Sequence, residues 1–264
     1  IKIEELESLR GLAALLIVIY HIPHHIPSLA YVNEGWEFIK NAYLMVDLFF
    51  VLSGFVIFNA YTDKITNKAQ FLKFQFLRFG RLYPVHVFFL LVFVIWKLVQ
   101  NTLLTTDGVD GQFFLDENIK IIFQHIFLLQ GIGSTDGARA FNQPAWSISV
   151  EFYTYFLFGL IVLFTKKFKV AFFGALFFVS LCLLFSQSTY QFDDLLRCFT
   201  GFFLGCITAH IKSKTNILLP SISPILVFLA AILFLGFETP IQYNFLIYFL
   251  SAALFFSIVS TKKS

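Results

Sequence analysis

Eight apolar runs dominate this chain, at Leu9–His25, Tyr43–Tyr61, Pro84–Leu104, Ala145–Thr165, Val170–Gln187, Leu195–Ile211, Ile217–Phe237 and Gln242–Ser260. A helix that crosses a bilayer needs about 17–25 such residues. Lipid leaves backbone polar groups no water, so each run must satisfy its hydrogen bonds internally. One further segment, Ile119–Gln130, is too short to span and reads as a re-entrant or interfacial helix. The expected fold is all-α: a polytopic membrane helix bundle of eight spans plus one short helix. It reads as a single membrane domain over residues 1–264.

Composition supports this class. Hydrophobic residues make up 58% of the chain and charged residues 13%, against about 25% charged in a soluble domain. No basic patch of the nucleic-acid-binding kind is present. Cys182, Cys198 and Cys206 lie in apolar stretches without CxxC spacing and read as packing residues, with no metal site. The chain opens on Ile1 and is expected to be trimmed from a longer protein.

The loop charges set an orientation. Lys64, Lys68, Lys73, Arg78 and Arg81 share one loop, Lys166, Lys167 and Lys169 another, Lys212 and Lys214 a third, and Lys262 and Lys263 the end. The alternate loops carry Glu34, Glu37, Asp107, Asp110, Asp116, Glu117, Asp193, Asp194 and Glu238. Every basic loop falls on one side only if Ile119–Gln130 does not cross. The positive-inside rule then places both ends of the chain in the cytoplasm.

Ionisable groups inside spans are costly and point to function. Arg10 and His21 lie on one face of the first run, about 16 Å apart along a helix. Arg10 also reads as a topology anchor. Asp47 lies in Met45-Val46-Asp47-Leu48-Phe49-Phe50-Val51-Leu52-Ser53-Gly54, about a turn inside its span, and needs a partner there. Arg78 and Arg81 are three apart, just before the span that opens at Pro84. Two guanidinium forks on one face suit a phosphorylated ligand, or a plain membrane anchor. Ser147, Glu151 and Tyr155 recur every four residues and form a polar stripe, with Glu151 the functional candidate. Arg197 reads as structural, paired with Asp193 or Asp194 on its own helix. His21, His24 and His25 have a ligand-like spacing that Pro23 interrupts. His86, His125 and His210 read as ordinary packed or interfacial rings.

These residues come in an order that resembles a known family. Arg10 and His21, then Val46-Asp47-Leu48-Phe49-Phe50-Val51-Leu52-Ser53-Gly54-Phe55, then Arg78-x-x-Arg81 before Tyr83-Pro84, then Trp146-Ser147-Ile148-Ser149-Val150-Glu151-Phe152, resemble the acyltransferase-3 membrane proteins. The likeness extends to Arg197-x-x-x-Gly201. It implies an enzyme that moves an acyl group, most often acetyl, from cytoplasmic acyl-CoA to a hydroxyl of an extracytoplasmic glycan. Such glycans include O-antigen, peptidoglycan and exopolysaccharide. The implied partners are acyl-CoA, a glycan or lipid-linked sugar and the bilayer of a bacterial inner membrane, with no permanently bound cofactor and no nucleic acid. The family usually has ten spans, so two are expected beyond the end of this chain.

On that reading His21, Glu151 and Asp47 are the catalytic candidates. Arg10, Arg78 and Arg81 are the acyl-CoA-binding candidates, and Arg197, Ser147 and Tyr155 support them. His21 either takes the proton from the attacking hydroxyl or carries the acyl group itself. The rival class is a proton-coupled transporter, because intramembrane His, Asp and Glu also suit proton relays.

Overall fold

The computed structural model describes residues 4–25, 36–103, 116–133, 141–186, 190–238 and 243–261. Among them the regular elements are helices, and the one extended pairing is an isolated bridge between Leu219 and Thr261. The helices are α1 (Glu4–His25), α2 (Glu37–Lys40), α3 (Met45–Tyr61), α4 (Lys68–Leu103) and α5 (Asp116–Ile126). They continue with α6 (Trp146–Thr165), α7 (Lys169–Ser186), α8 (Asp193–Lys214), α9 (Ser223–Gly236) and α10 (Leu246–Ser260). Single 3₁₀ turns at Asn41–Leu44, Gln143–Ala145 and Tyr190–Phe192 lead into α3, α6 and α8.

Each of the eight apolar runs contains an α-helix among its described residues, the last two only over Ser223–Gly236 and Leu246–Ser260, and the short segment overlaps α5, which ends at Ile126. Among the described residues five stretches are long and apolar enough to cross a membrane: Glu37–Tyr61, Lys68–Val99, Gln143–Thr165, Lys169–Ser186 and Asp193–Lys214. The helices α9 and α10 are apolar but shorter. The helix α1 starts with Glu4, Glu5 and Glu7 in its first turn, where carboxylates favour the helix dipole. The loop charges Glu34, Asp107, Asp110, Lys262 and Lys263 lie outside the described residues.

The largest departure from expectation is α4. The sequence places a span boundary at Pro84, yet the helix runs unbroken from Lys68 to Leu103 with Pro84 inside it. A proline costs a helix one backbone hydrogen bond and crowds the carbonyl four residues earlier. Here that carbonyl belongs to Gly80, an exposed position in the helix. The flanking turns then carry the helix across the defect. Arg78 therefore sits about 15 Å along α4 from its first residue.

The chain forms two compact units, each drawn from separated stretches of sequence. The first comprises residues 1–62, 167–185 and 199–264. Its centre is the close approach of α3 to α8. A side-chain carbon on Gly54 would lie 1.8 Å from the Phe202 carbonyl oxygen, and one on Gly205 would lie 2.0 Å from that of Val51. Between two apolar helices in lipid, van der Waals contact is a main source of attraction, and small residues let the backbones reach it. Phe173 stacks on Phe203 at 5.5 Å and meets the edge of Phe58 at 6.2 Å, which fills the space beside this contact.

The second unit comprises residues 63–166 and 186–198. In it α4 packs along α6, where Gly159 leaves room for the Phe71 ring. The short helix α5 is amphipathic. Ile121 and Ile122 pack with Leu90, Phe93, Val94, Leu98 and Phe141, while Ile119, Phe123 and Ile126 are exposed. An apolar outer stripe on a short helix suits the membrane interface.

Candidate active site

The residues singled out in the sequence divide between the units. Arg10, His21 and Asp47 belong to the first; Arg78, Arg81, Ser147, Glu151, Tyr155 and Arg197 belong to the second.

In the first unit, α1 carries Arg10 one turn from Glu7, and the two form an ion pair at 2.6 Å. Further along, the Nδ1 of half-buried His21 lies 2.7 Å from the Ile17 carbonyl oxygen. A carbonyl only accepts, so Nδ1 carries the proton and Nε2 holds the lone pair of the neutral ring. That tautomer leaves Nε2 as the nitrogen able to take a proton or attack a carbonyl carbon. The Tyr20 ring stands edge-on to His21 at 5.0 Å and meets Tyr43 at 5.9 Å. The side chains of His24 and His25 lie outside the described residues.

Asp47 lies in the first turn of α3 and is 2% exposed. Its Oδ1 accepts a hydrogen bond from the Tyr248 hydroxyl at 2.9 Å. One turn earlier, the Asn244 amide donates to the Tyr43 hydroxyl at 2.6 Å. These two contacts bind the polar edge of α3 to the start of α10. Neither Tyr248 nor Asn244 stands out in the sequence, because each is a polar group at the edge of an apolar run with no spacing motif around it.

In the second unit, the Tyr155 hydroxyl donates a short hydrogen bond to Glu151 Oε1, four residues earlier on α6. The Arg78 guanidinium lies 5.9 Å from the centre of the same Tyr155 ring and 6.0 Å from that of Phe74. The long α4 thus brings Arg78 level with the Glu151–Tyr155 pair instead of leaving it at a helix end. Arg81, one turn on, is exposed. The two arginines lie three apart on α4 but differ in environment, Arg78 half-buried and Arg81 exposed. Ser147 lies on the same helix α6 as Glu151 and Tyr155, and its hydroxyl donates back to the Pro144 carbonyl at 2.9 Å. Arg197 lies close enough to Asp193 to act on its carboxyl, and its guanidinium also covers the Trp146 ring at 5.0 Å, a contact across helices.

The first turns of α6 are gripped by the segment that follows α5. Ser149 is fully buried, donates to the Leu128 carbonyl and accepts from the Gly131 amide at 3.1 Å. Gln130 donates to the Ala145 carbonyl at 3.0 Å, and Tyr153 to the Phe127 carbonyl at 2.9 Å. Ser149 is a site-supporting residue that the four-residue stripe passed over, because it lies two positions off that stripe. The bracket fixes the turn that carries Glu151.

Among the described residues no group of three or more His, Cys, Asp or Glu side chains is placed to hold a metal ion. The first unit offers an imidazole whose Nδ1 donates to a backbone carbonyl and a buried carboxylate; the second offers a carboxylate that accepts from a phenol and a guanidinium beside two aromatic rings. Those groups suit proton transfer and anion binding.

Comparison with known proteins bears on this chemistry. Residues 3–263 match the family described as "Acyltransferase domain". Peptidoglycan O-acetyltransferase OatA of Listeria monocytogenes is 28% identical over 157 residues, which is 56% of this chain and 22% of that protein. O-acetyltransferase OatA of Staphylococcus aureus is 26% identical over 229 residues, covering 78% of this chain and 34% of that protein. Protein 2 in the picA locus of Rhizobium radiobacter is 32% identical over 158 residues, 55% of this chain and 75% of its own length. The matched stretch is thus a minor part of both OatA relatives. No solved structure matches.

Proposed function

The chain belongs to the acyltransferase-3 family, and from that premise we propose that it is a membrane O-acyltransferase. It moves an acyl group, acetyl first among candidates, from cytoplasmic acyl-CoA to a hydroxyl of an extracytoplasmic glycan. It acts in a bacterial cytoplasmic membrane with both ends of this chain on the cytoplasmic side. Two of the relatives are named O-acetyltransferases, and one of those names specifies peptidoglycan, which makes peptidoglycan the first acceptor to test.

The observation that carries this reading is the His21 tautomer. With Nδ1–H on the Ile17 carbonyl, Nε2 accepts the proton of the attacking hydroxyl. The hydroxyl oxygen bonds to the thioester carbonyl carbon. As the tetrahedral intermediate collapses, the carbon–sulfur bond breaks and the imidazolium returns its proton to the CoA thiolate. An acyl-histidine relay uses the same nitrogen as nucleophile, so both routes demand the same tautomer. Glu151 and Asp47 are the carboxylates that serve the acceptor hydroxyl. Arg78, with Arg81 and Arg10, takes the phosphates of CoA.

Purified full-length protein incubated with radiolabelled acetyl-CoA and peptidoglycan fragments tests this. Base-labile label should appear on the glycan and fall by about 10²-fold or more in His21→Ala. Uptake of a solute by reconstituted vesicles without any acyl transfer would instead identify a transporter.

A further inference from the structure

We infer that Tyr248 is a positioning residue for Asp47, and that α10 thereby orders the catalytic edge of α3. This rests on the reading of Asp47 as a working carboxylate.

The geometry is specific to this pair. Asp47 and Tyr248 are 2% and 3% exposed, and the phenol donates to one carboxylate oxygen at 2.9 Å. A carboxylate in an apolar bundle is costly unless hydrogen-bonded, and the phenol limits how its oxygens can turn. Gly201 of α8 makes room for the contact. A side-chain carbon there would lie 2.8 Å from Phe50 Cβ, 3.3 Å from the Asp47 carbonyl oxygen and 3.3 Å from Tyr248 Cε1. Three helices therefore meet at one point with no slack, and the phenol that donates to the carboxylate comes from the helix most distant in sequence.

The second rung of the same contact excludes chance. Asn244 and Tyr43 meet four residues before Tyr248 and Asp47, in the turns that lead into α10 and α3. Two donors four residues apart on one segment match two acceptors four residues apart on the other, which is the repeat of a helix face. The Tyr43 ring in turn lies 5.9 Å from Tyr20, the neighbour of His21. The start of α10 thus holds the carboxylate directly and touches the surroundings of the imidazole through two rings.

A positioning hydroxyl should act on turnover more than on donor binding. Tyr248→Phe keeps the ring and its packing and removes only the donor. In the full-length protein, with radiolabelled acetyl-CoA as donor and base-labile label on envelope glycans as readout, kcat should fall about tenfold. The KM for acetyl-CoA should stay within about threefold, and the yield of inserted monodisperse protein should be unchanged. Asp47→Asn should also lower kcat, and adding Tyr248→Phe to it should cost less than a further twofold, since groups acting as a unit are not additive. Normal turnover in Tyr248→Phe beside a crippled Asp47→Asn overturns the inference and leaves the role of Asp47 standing. Full additivity of the two substitutions also overturns it. Normal turnover in Asp47→Asn removes the role of Asp47 and the inference with it. If Tyr248→Phe lowers yield, Asn244→Ala supplies the second reading: it loosens the neighbouring rung and should reduce kcat without touching Asp47.

Discussion

His86 and His125 lie face to face, their ring centroids 5.9 Å apart and their planes 7° from parallel, and both are at most 1% exposed. The His86 Nε2 donates to the His125 backbone carbonyl at 2.8 Å. His86 Nδ1 and both ring nitrogens of His125 have no hydrogen-bond partner among the described residues. The pair fastens α5 to α4, and α5 leads into the bracket around Ser149.

This contact makes the bracket sensitive to acid. Burial, reinforced by the nearby His86 ring, pushes the His125 imidazole down from 6.5 to about 4. The folded state then refuses a proton that the unfolded chain accepts. The stabilisation is complete above pH 6.5 and is lost as pH falls toward 4, by roughly 3 kcal/mol in all. Thermal unfolding of detergent-solubilised protein should show that loss, and His125→Phe should flatten it. Replacing the ring with an apolar one of similar shape should cost little at pH 7, because no hydrogen bond is given up. Identical slopes in the two proteins would assign the acid response elsewhere.

The glycine contacts between α3 and α8 predict a sharp contrast. Gly205→Ala and Gly54→Ala place a methyl group within 2.0 Å of a backbone oxygen, which side-chain motion cannot relieve. Each should destabilise by about 3 kcal/mol or more. Gly174→Ala in α7 meets open space and should gain up to about 1 kcal/mol from helix propensity. Melting temperatures of the three variants decide the matter, and a mild Gly205→Ala would show that the helices separate easily.

Ser149→Ala removes the acceptor of the Gly131 amide and the donor to the Leu128 carbonyl. Leaving buried polar groups unpaired should cost about 1–3 kcal/mol. Amide hydrogen exchange should quicken at Gly131 and stay unchanged along α7. Unaltered exchange at Gly131 would mean that the bracket is held by Gln130 and Tyr153 alone.

Arg78 and Arg81 should differ as donor-binding residues. Arg78 is half-buried against two rings and Arg81 is exposed, so a phosphate contact to Arg78 is the less screened. Arg78→Ala should weaken acetyl-CoA binding by about 1.5–3 kcal/mol, the worth of a charge-assisted hydrogen bond. Arg81→Ala should cost at most about 1 kcal/mol, as for exposed ion pairs. Arg78→Lys should fall close to Arg78→Ala, because an ammonium lacks the flat face that lies against Tyr155 and Phe74. Equilibrium binding of radiolabelled acetyl-CoA measures all three, and equal losses at the two positions would remove the distinction.

The sequence by itself determined the helical class, the order of the apolar helices and the short amphipathic α5. Apolar length is a local property that needs no partner. It also marked the polar residues worth attention, since Asp47 and Glu151 interrupt otherwise apolar runs. The tautomer of His21 follows from a bond within one turn of α1. The tertiary structure alone decided which polar atoms meet. Helices such as α3 and α10 are apolar on every side, so their sequences contain no stripe that says which face turns toward a neighbour. The Asp47–Tyr248 contact joins residues far apart in the chain and depends on helix register, which Gly201 sets by allowing close approach. Arg78 moved from an expected helix end to the side of Tyr155 because Pro84 did not break α4, a result fixed by the cooperativity of the long helix and its packing on α6, not by the proline's own preference.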